Sequence, residues 1–151
     1  MKPGGFLLAY SGQYHLPAVY AALSGELEYV WTISIQGKGP KTLVHQRKIY
    51  SCWKPILIYC RPPYQAQKEW IDDLHRANGL PEKDLHDWQQ PEIEALHYIA
   101  AFSMSGDLVI DPFLGSGTTA IAATKLGRRF TGCDIDMAAV ETTLRRLNEQ
   151  I

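Results

Sequence analysis

One ten-residue stretch, Asp111-Pro112-Phe113-Leu114-Gly115-Ser116-Gly117-Thr118-Thr119-Ala120, constrains this chain more than any other. It follows the apolar triplet Leu108-Val109-Ile110, which reads as a short buried strand. It leads into Thr118 to Leu126, a predicted helix ended by Gly127. A strand that passes through a glycine-rich turn into a helix is the unit of an open α/β sheet. Ligands of such sheets bind at the carboxyl ends of the strands. The glycines allow a tight turn and a close approach of backbone to ligand. Asp134 lies 19 residues after Gly115, at the end of the next predicted strand, Arg129 to Cys133. An acid there can accept hydrogen bonds from both hydroxyls of a ribose.

Two cofactor readings compete. Gly115-Ser116-Gly117-Thr118-Thr119-Ala120 satisfies the dinucleotide pattern G-x-G-x-x-G/A, which would make the chain an NAD-dependent oxidoreductase. In dinucleotide binders, however, the strand runs straight into the first glycine, because the pyrophosphate needs the helix N-terminus. Here Asp111, Pro112 and Phe113 intervene. A carboxylate at that point suits a cationic ligand. S-adenosylmethionine carries a sulfonium and an ammonium and no phosphate. A phosphate-binding P-loop is excluded, since no Gly-Lys-Ser/Thr follows.

The rest of the chain supplies the frame. Phe6 to Tyr10, Tyr29 to Ile35 and Ile56 to Tyr59 read as strands, and Leu16 to Leu23 as a helix before Gly25. Gln67 to Ala77 looks helical. Pro91 opens a helix on which Ile93, Leu96, His97 and Ala100 share one face, and Met137 to Asn148 is a final amphipathic helix. Strands alternating with helices predict a mostly parallel α/β sheet. At 151 residues one domain is expected. Fifteen Lys and Arg against sixteen Asp and Glu exclude a globally basic protein that coats nucleic acid by charge alone. Cys52, Cys60 and Cys133 form no C-x-x-C pair, so they read as reduced thiols without a metal. Phe6 to Tyr10 is too short for a signal peptide or membrane span.

Asp111 to Thr119, followed by Leu126-Gly127-Arg128-Arg129-Phe130-Thr131-Gly132-Cys133-Asp134-Ile135-Asp136, closely resembles the C-terminal half of N4-cytosine/N6-adenine DNA methyltransferases. The group is the one with its cofactor motif near the C-terminus. His86-Asp87-Trp88-Gln89-Gln90-Pro91 resembles the segment before the cofactor strand, with Gln90-Pro91 where the family often has Lys-Pro. Lys2-Pro3-Gly4-Gly5 with its strand resembles the segment after the catalytic motif. Trp53-Lys54-Pro55-Ile56-Leu57 is similar to the family as well. The resemblance covers nearly the whole chain.

It implies a Rossmann-like, S-adenosylmethionine-dependent methyltransferase fold of class α/β. Residues 1–60 would hold the strands after the catalytic motif and a basic recognition region, and residues 86–151 the cofactor half. The implied cofactor residues are Asp111, Pro112, Phe113, Gly115, Ser116, Gly117, Thr118, Thr119 and Asp134, with Gln90 and Pro91. For Phe113 the alternative is core packing, and for Thr118 and Thr119 it is capping of the helix. Asp136 reads as an N-cap, and His86 and Trp88 as residues that pack or line the cofactor pocket. Lys38, Lys41, Arg47 and Lys48, near His45, Tyr50, Trp53 and Lys54, are the implied DNA contacts, the alternative being a solvated loop. The implied activity is methyl transfer to an exocyclic amine of adenine or cytosine in double-stranded DNA, in a restriction-modification setting, in a bacterial or phage-encoded cytoplasmic protein.

The family's catalytic Asp/Asn/Ser-Pro-Pro-aromatic motif is expected before Lys2, where this sequence leaves no room for it. Arg61-Pro62-Pro63-Tyr64 does not replace it, because a guanidinium cannot accept a hydrogen bond from the target amine. No catalytic residue is therefore assigned, and the fold is expected to lack its catalytic strand. The chain is then expected to be a C-terminal portion of such an enzyme, with a companion chain supplying the motif or the exposed strand edges pairing into a homodimer. The alternative is a non-catalytic DNA-binding or partner subunit that retains the fold.

Overall fold

The computed structural model describes residues 1–36, 42–67, 70–76 and 92–149. Contacts divide the chain into two compact units, Met1–Leu80 and Pro81–Ile151. In the first, β1 (Phe6–Tyr10) is followed by a 3-10 turn at Gln13–His15 and α1 (Leu16–Leu23). Then come β2 (Glu28–Gln36), the short β3 (Thr42–Val44) and β4 (Ile49–Ser51), β5 (Lys54–Cys60) and β6 (Leu74–Arg76).

The apolar run Ile56-Leu57-Ile58-Tyr59-Cys60 makes β5 the centre of a four-stranded sheet of order β1-β5-β2-β6. All five side chains are buried, so β5 is covered on both faces. Burying one such aliphatic side chain contributes about 1.5–3 kcal/mol. The sheet is mixed rather than mostly parallel. β1 and β2 both run antiparallel to β5, with Leu8 opposite Ile58 and Ile33 opposite Ile56. Only β6 runs parallel to its neighbour β2. The Lys2–Gly5 turn is held from the far end of β5, where Gly4 N donates to Arg61 O at 2.8 Å and Arg61 N to Gly5 O at 2.9 Å. Arg61-Pro62-Pro63-Tyr64 thus terminates β5, and Tyr64 packs edge-on against Phe6.

The helix expected over Gln67 to Ala77 does not form where that segment is described. Trp31 Nε1 donates to Asp73 Oδ2 at 3.2 Å, and Ser34 N donates to Asp73 O at 2.7 Å. Those bonds draw Leu74–Arg76 onto the edge of β2 as a parallel strand, and an available sheet edge overrides a weak helical pattern. Lys68, Glu69 and Ala77 lie outside the described residues. The β3–β4 hairpin was not anticipated from the sequence.

The second unit contains α2 (Glu92–Phe102), β7 (Leu108–Asp111), α3 (Thr118–Lys125), β8 (Arg129–Gly132) and α4 (Met137–Asn148). β7 and β8 pair in parallel, and α3 is the crossover between them. α3 closes as expected at Gly127: Gly127 N donates to Thr124 O and Arg128 N to Ala123 O, the paired bonds of a Schellman motif. Asp136 caps α4, accepting from Ala138 N at 3.0 Å.

Two expectations about burial fail in this unit. The inward positions of α2 are Glu94, 2% exposed, and Tyr98, 4% exposed, whereas Ile93, His97 and Ala100 lie open. Tyr98 competes successfully for the inner face because its ring brings more apolar surface than Ala100 or His97. β7 is not a buried strand either. Leu108 is 48% and Ile110 61% exposed, since among the described residues β7 pairs only with β8 and its other edge has no neighbour.

Candidate functional site

The candidate site sits at the carboxyl ends of β7 and β8. Parallel pairing puts Asp111 opposite Gly132, and the ladder continues past the strands: Cys133 N donates to Asp111 O at 3.1 Å and Leu114 N to Cys133 O at 3.0 Å. The two strand ends and the loops that follow are thereby held side by side. Asp111 folds its own carboxylate over the turn, with Oδ1 accepting from Phe113 N at 3.0 Å. Leu114 is buried and anchors the loop from below, while Pro112 and Phe113 are turned outward.

Asp134 joins the two loops. Its Oδ2 accepts from Gly115 N at 2.7 Å and its Oδ1 from Asp136 N at 3.0 Å. Hydrogen bonds to an ionised carboxylate are stronger than neutral ones, about 1.5–3 kcal/mol each. Asp134 is therefore structural for the glycine loop as well as placed at the strand end.

The loop is held from α4 too. Thr143 Oγ1 donates to Gly115 O at 3.3 Å, and Arg146 Nη1 donates to Ser116 O. Thr143 is buried and lies directly against Gly117, whose φ of +81° is left-handed. A Cβ at Gly117 would fall within 2.8 Å of Thr143 Cβ. The N-cap of α3 is Gly117, without a side-chain capping bond, so Thr118 and Thr119 are its first two helical residues rather than its cap.

The cofactor residues expected between Asp111 and Asp134 are thus brought together by one pair of strands and one helix. Gln90 and Pro91, with His86 and Trp88, lie outside the described residues. Phe113 is 85% exposed, which removes its core-packing alternative. Ile135, missed in the sequence, is fully exposed beside Asp134. An apolar side chain with no core partner next to a strand-end acid was the available signal. Thr143 and Arg146, also missed, hold the loop from about 30 residues downstream, and no local pattern announces them. Among the described residues, no group of three His, Cys, Asp or Glu could hold a metal ion, and no helix is long and apolar enough to cross a membrane.

The expected DNA contacts are split by what is described. Lys38 and Lys41 lie outside the described residues. Arg47 and Lys48 are exposed at the connection between β3 and β4, where Arg47 Cζ stands 4.8 Å from the centroid of the Tyr14 ring. Lys48 has a φ of +53°.

The chain matches the DNA methylase family of N6/N4 methyltransferases over residues 24–145. It is 43% identical over 74 residues to the type II methyltransferase M1.MboII of Moraxella bovis, a match that spans 49% of this chain and 28% of that protein. The chain spans about a quarter of the length of the curated relatives it matches. Its fold is similar to that of M1.HpyAVI, solved as a complex with S-adenosylmethionine, with a TM-score of 0.81 at 20% identity over 98% of this chain and 76% of that one. It is also similar to the cytosine-N4-specific PvuII DNA methyltransferase, with a TM-score of 0.75 at 16% identity over 97% of this chain and 64% of that one. The parallel β7–α3–β8 unit with its loop is therefore part of a Rossmann-like methyltransferase fold. The chain belongs to the N6/N4 DNA methylase family.

Proposed function

We propose that this chain forms the cofactor-binding part of a site-specific DNA methyltransferase that acts on the exocyclic amine of adenine or cytosine. The observation that carries the reading is the pair of carboxylates, Asp111 and Asp134, held at the ends of adjacent parallel strands beside the outward side chains of Phe113 and Ile135. This donor set fits S-adenosylmethionine. Asp111 Oδ1 is occupied by its own turn, which leaves Oδ2 to face a cationic group. Asp134 would accept from ribose hydroxyls, and Phe113 and Ile135 offer apolar surface to a purine. Gly115, Ser116, Thr119 and the exposed Pro112 complete the rim, with Gly117 and Thr118 beneath. A dinucleotide fits less well, because Gly117 and Thr118 are buried and leave little open helix terminus for a pyrophosphate.

The bound cofactor would supply an electrophilic methyl group on sulfur. The contribution of this chain is orientation: a loop fixed by Asp134, Thr143 and Arg146 holds the ligand in one pose, and fixed poses account for a large share of such rate enhancements. A strand that carries the groups holding the target amine would pair at the outer edge of β7, whether a preceding segment or a companion chain supplies it. Exposed Leu108 and Ile110 on β7 support this. Double-stranded DNA is the proposed substrate, with Arg47, Lys48, Lys38 and Lys41 as contacts, and the bacterial cytoplasm the proposed location. Residues 1–151 are read as one methyltransferase domain.

Calorimetric titration tests the cofactor assignment. The chain is expected to bind S-adenosylmethionine and not NAD, and Asp111→Ala and Asp134→Ala are each expected to weaken that binding. Binding of NAD instead, or an affinity indifferent to both substitutions, refutes it. Light scattering tests the added strand: a monodisperse monomer fully active on DNA would remove the need for one.

A further inference from the structure

Two successive carbonyls of the glycine loop are turned toward α4. Gly115 O accepts from Thr143 Oγ1 at 3.3 Å, and Ser116 O accepts from Arg146 Nη1. In a trans peptide the carbonyl and the following N–H point in opposite directions. The Ser116 N–H, which shares its peptide with Gly115 O, is therefore aimed away from α4. Its neighbours are all engaged. Phe113 N donates to Asp111 Oδ1, Leu114 N to Cys133 O, Gly115 N to Asp134 Oδ2 and Gly117 N to Leu114 O. Among the described residues, Ser116 N is the one amide of this run without an acceptor.

Arg146 is an unusual cation. It is half-buried, and of the N–H donors on its guanidinium only one is engaged, at Ser116 O. No Asp or Glu among the described residues pairs with it. Taking a cation out of water without a counterion costs free energy. The C-terminal end of α4 offsets part of that cost, because cations are favoured in the last turn of a helix. The exposed Arg145 beside it makes the same interaction without leaving water. The helix end therefore does not require Arg146 to reach across to the loop.

We propose that Arg146 is a positioning residue that decides ligand specificity: acting through Ser116, it makes the loop select a ligand whose amino-acid end carries an intact carboxylate. Thr143 fixes the direction of the Ser116 N–H, and Arg146 supplies the charge. The guanidinium polarises the peptide it binds, and partial burial strengthens its field on an anion at the loop. Asp111 at the strand end and Arg146 on α4 give the loop one acidic and one basic pole. A zwitterionic amino-acid end has the matching pair of charges, and a dinucleotide has none. The inference rests on the S-adenosylmethionine reading of the site and names the residue that decides between related ligands.

The test is calorimetry of the full chain with S-adenosylmethionine and with decarboxylated S-adenosylmethionine, which differ only in the carboxylate. The unaltered chain is expected to prefer the intact ligand. Arg146→Gln removes the charge and keeps an N–H donor. It should bind the decarboxylated ligand as the unaltered chain does and lose roughly tenfold of the preference, the worth of charge assistance to one hydrogen bond. Arg145→Gln makes the same change of charge one residue away and should leave the preference intact. Arg146→Lys keeps the charge and should hold the preference within a few-fold. Its loss in the Lys variant overturns the role of charge even if Arg146→Gln fails to fold. Equal weakening of both ligands in Arg146→Gln makes Arg146 a mere brace for the loop and overturns the proposal. An effect as large in Arg145→Gln, or an unaltered chain that binds both ligands equally, overturns it too. An unaltered chain that binds neither ligand refutes the cofactor reading itself, a failure distinct from loss of carboxylate selection alone.

Discussion

Replacing Gly117 with alanine should destabilise the second unit far more than the same change at Gly115, two residues away. Both glycines have positive φ, +81° and +52°, so both substitutions incur the left-handed penalty of about 1–2 kcal/mol. They differ in what the new methyl group meets. At Gly115 the nearest atom is Phe113 O, 3.9 Å away, an ordinary contact. At Gly117 it falls 2.6 Å from Thr143 Cγ2 and 2.8 Å from Thr143 Cβ. Thr143 is 2% exposed on α4 and its hydroxyl is committed to Gly115 O, so it has little room to yield. Overpacking of this kind adds about 1–3 kcal/mol. The expected cost is therefore roughly 2–5 kcal/mol for Gly117→Ala and about 1–2 kcal/mol for Gly115→Ala. Urea unfolding followed by far-ultraviolet circular dichroism reads the right part of the molecule, because α2, α3 and α4 hold most of the described helix. A double-mutant cycle with Thr143→Ala isolates the collision, since that change removes Cγ2 and Oγ1. The double variant should be more stable than additivity predicts, by about 1 kcal/mol or more. Equal losses at Gly115 and Gly117, or a cycle that sums to zero, would refute the idea that loop and α4 are in rigid contact.

Two further outcomes follow from other parts of the molecule. Burial raises the pKa of Tyr29, Tyr59 and Tyr98 above the ordinary 10.0, with Glu94 adding to the effect at Tyr98. The folded state then holds these protons more tightly than the unfolded state. Stability from this source is complete below about pH 10 and is lost as the pH rises through the elevated values. An ultraviolet phenolate titration should show a late-ionising group among the eight tyrosines, released together with unfolding. Simultaneous titration of all eight near their ordinary value would contradict this. The Lys125–Glu92 ion pair links α3 to α2 but is partly solvent-exposed. Lys125→Ala should therefore change stability by no more than about 1 kcal/mol in denaturant unfolding, and a larger loss would mean that the pair is better shielded than its exposure indicates.

Local chemistry alone determined much of this protein. The apolar run at Ile56–Cys60 dictates a central strand, because nothing but a doubly covered position satisfies so many consecutive buried side chains. The strand–Asp111–glycine-loop–helix order dictates a tight glycine loop at a strand end, and Asp134 falls beside it because the crossover through α3 returns the chain in parallel. Helix boundaries at Leu16, Leu23 and Met137 were legible from capping and turn residues within a few positions.

Tertiary structure decided the rest wherever the competing energies were long-range. Whether Leu74–Arg76 became helix or strand depended on a free edge of β2 and on Trp31 and Ser34 reaching Asp73, more than 35 residues away. Whether Tyr98 or Ala100 faced inward depended on what α3 presented to α2. That Asp134 braces the loop depended on the distance between two backbone turns, which the side chain spans at 2.7 Å. Thr143 and Arg146 enter the site only because α4 packs against α3. Sequence periodicity ranks residues by what they could bury. Which partner each one meets is settled when the elements dock, because contact energies fall off within a few ångströms and depend on neighbours remote in the chain.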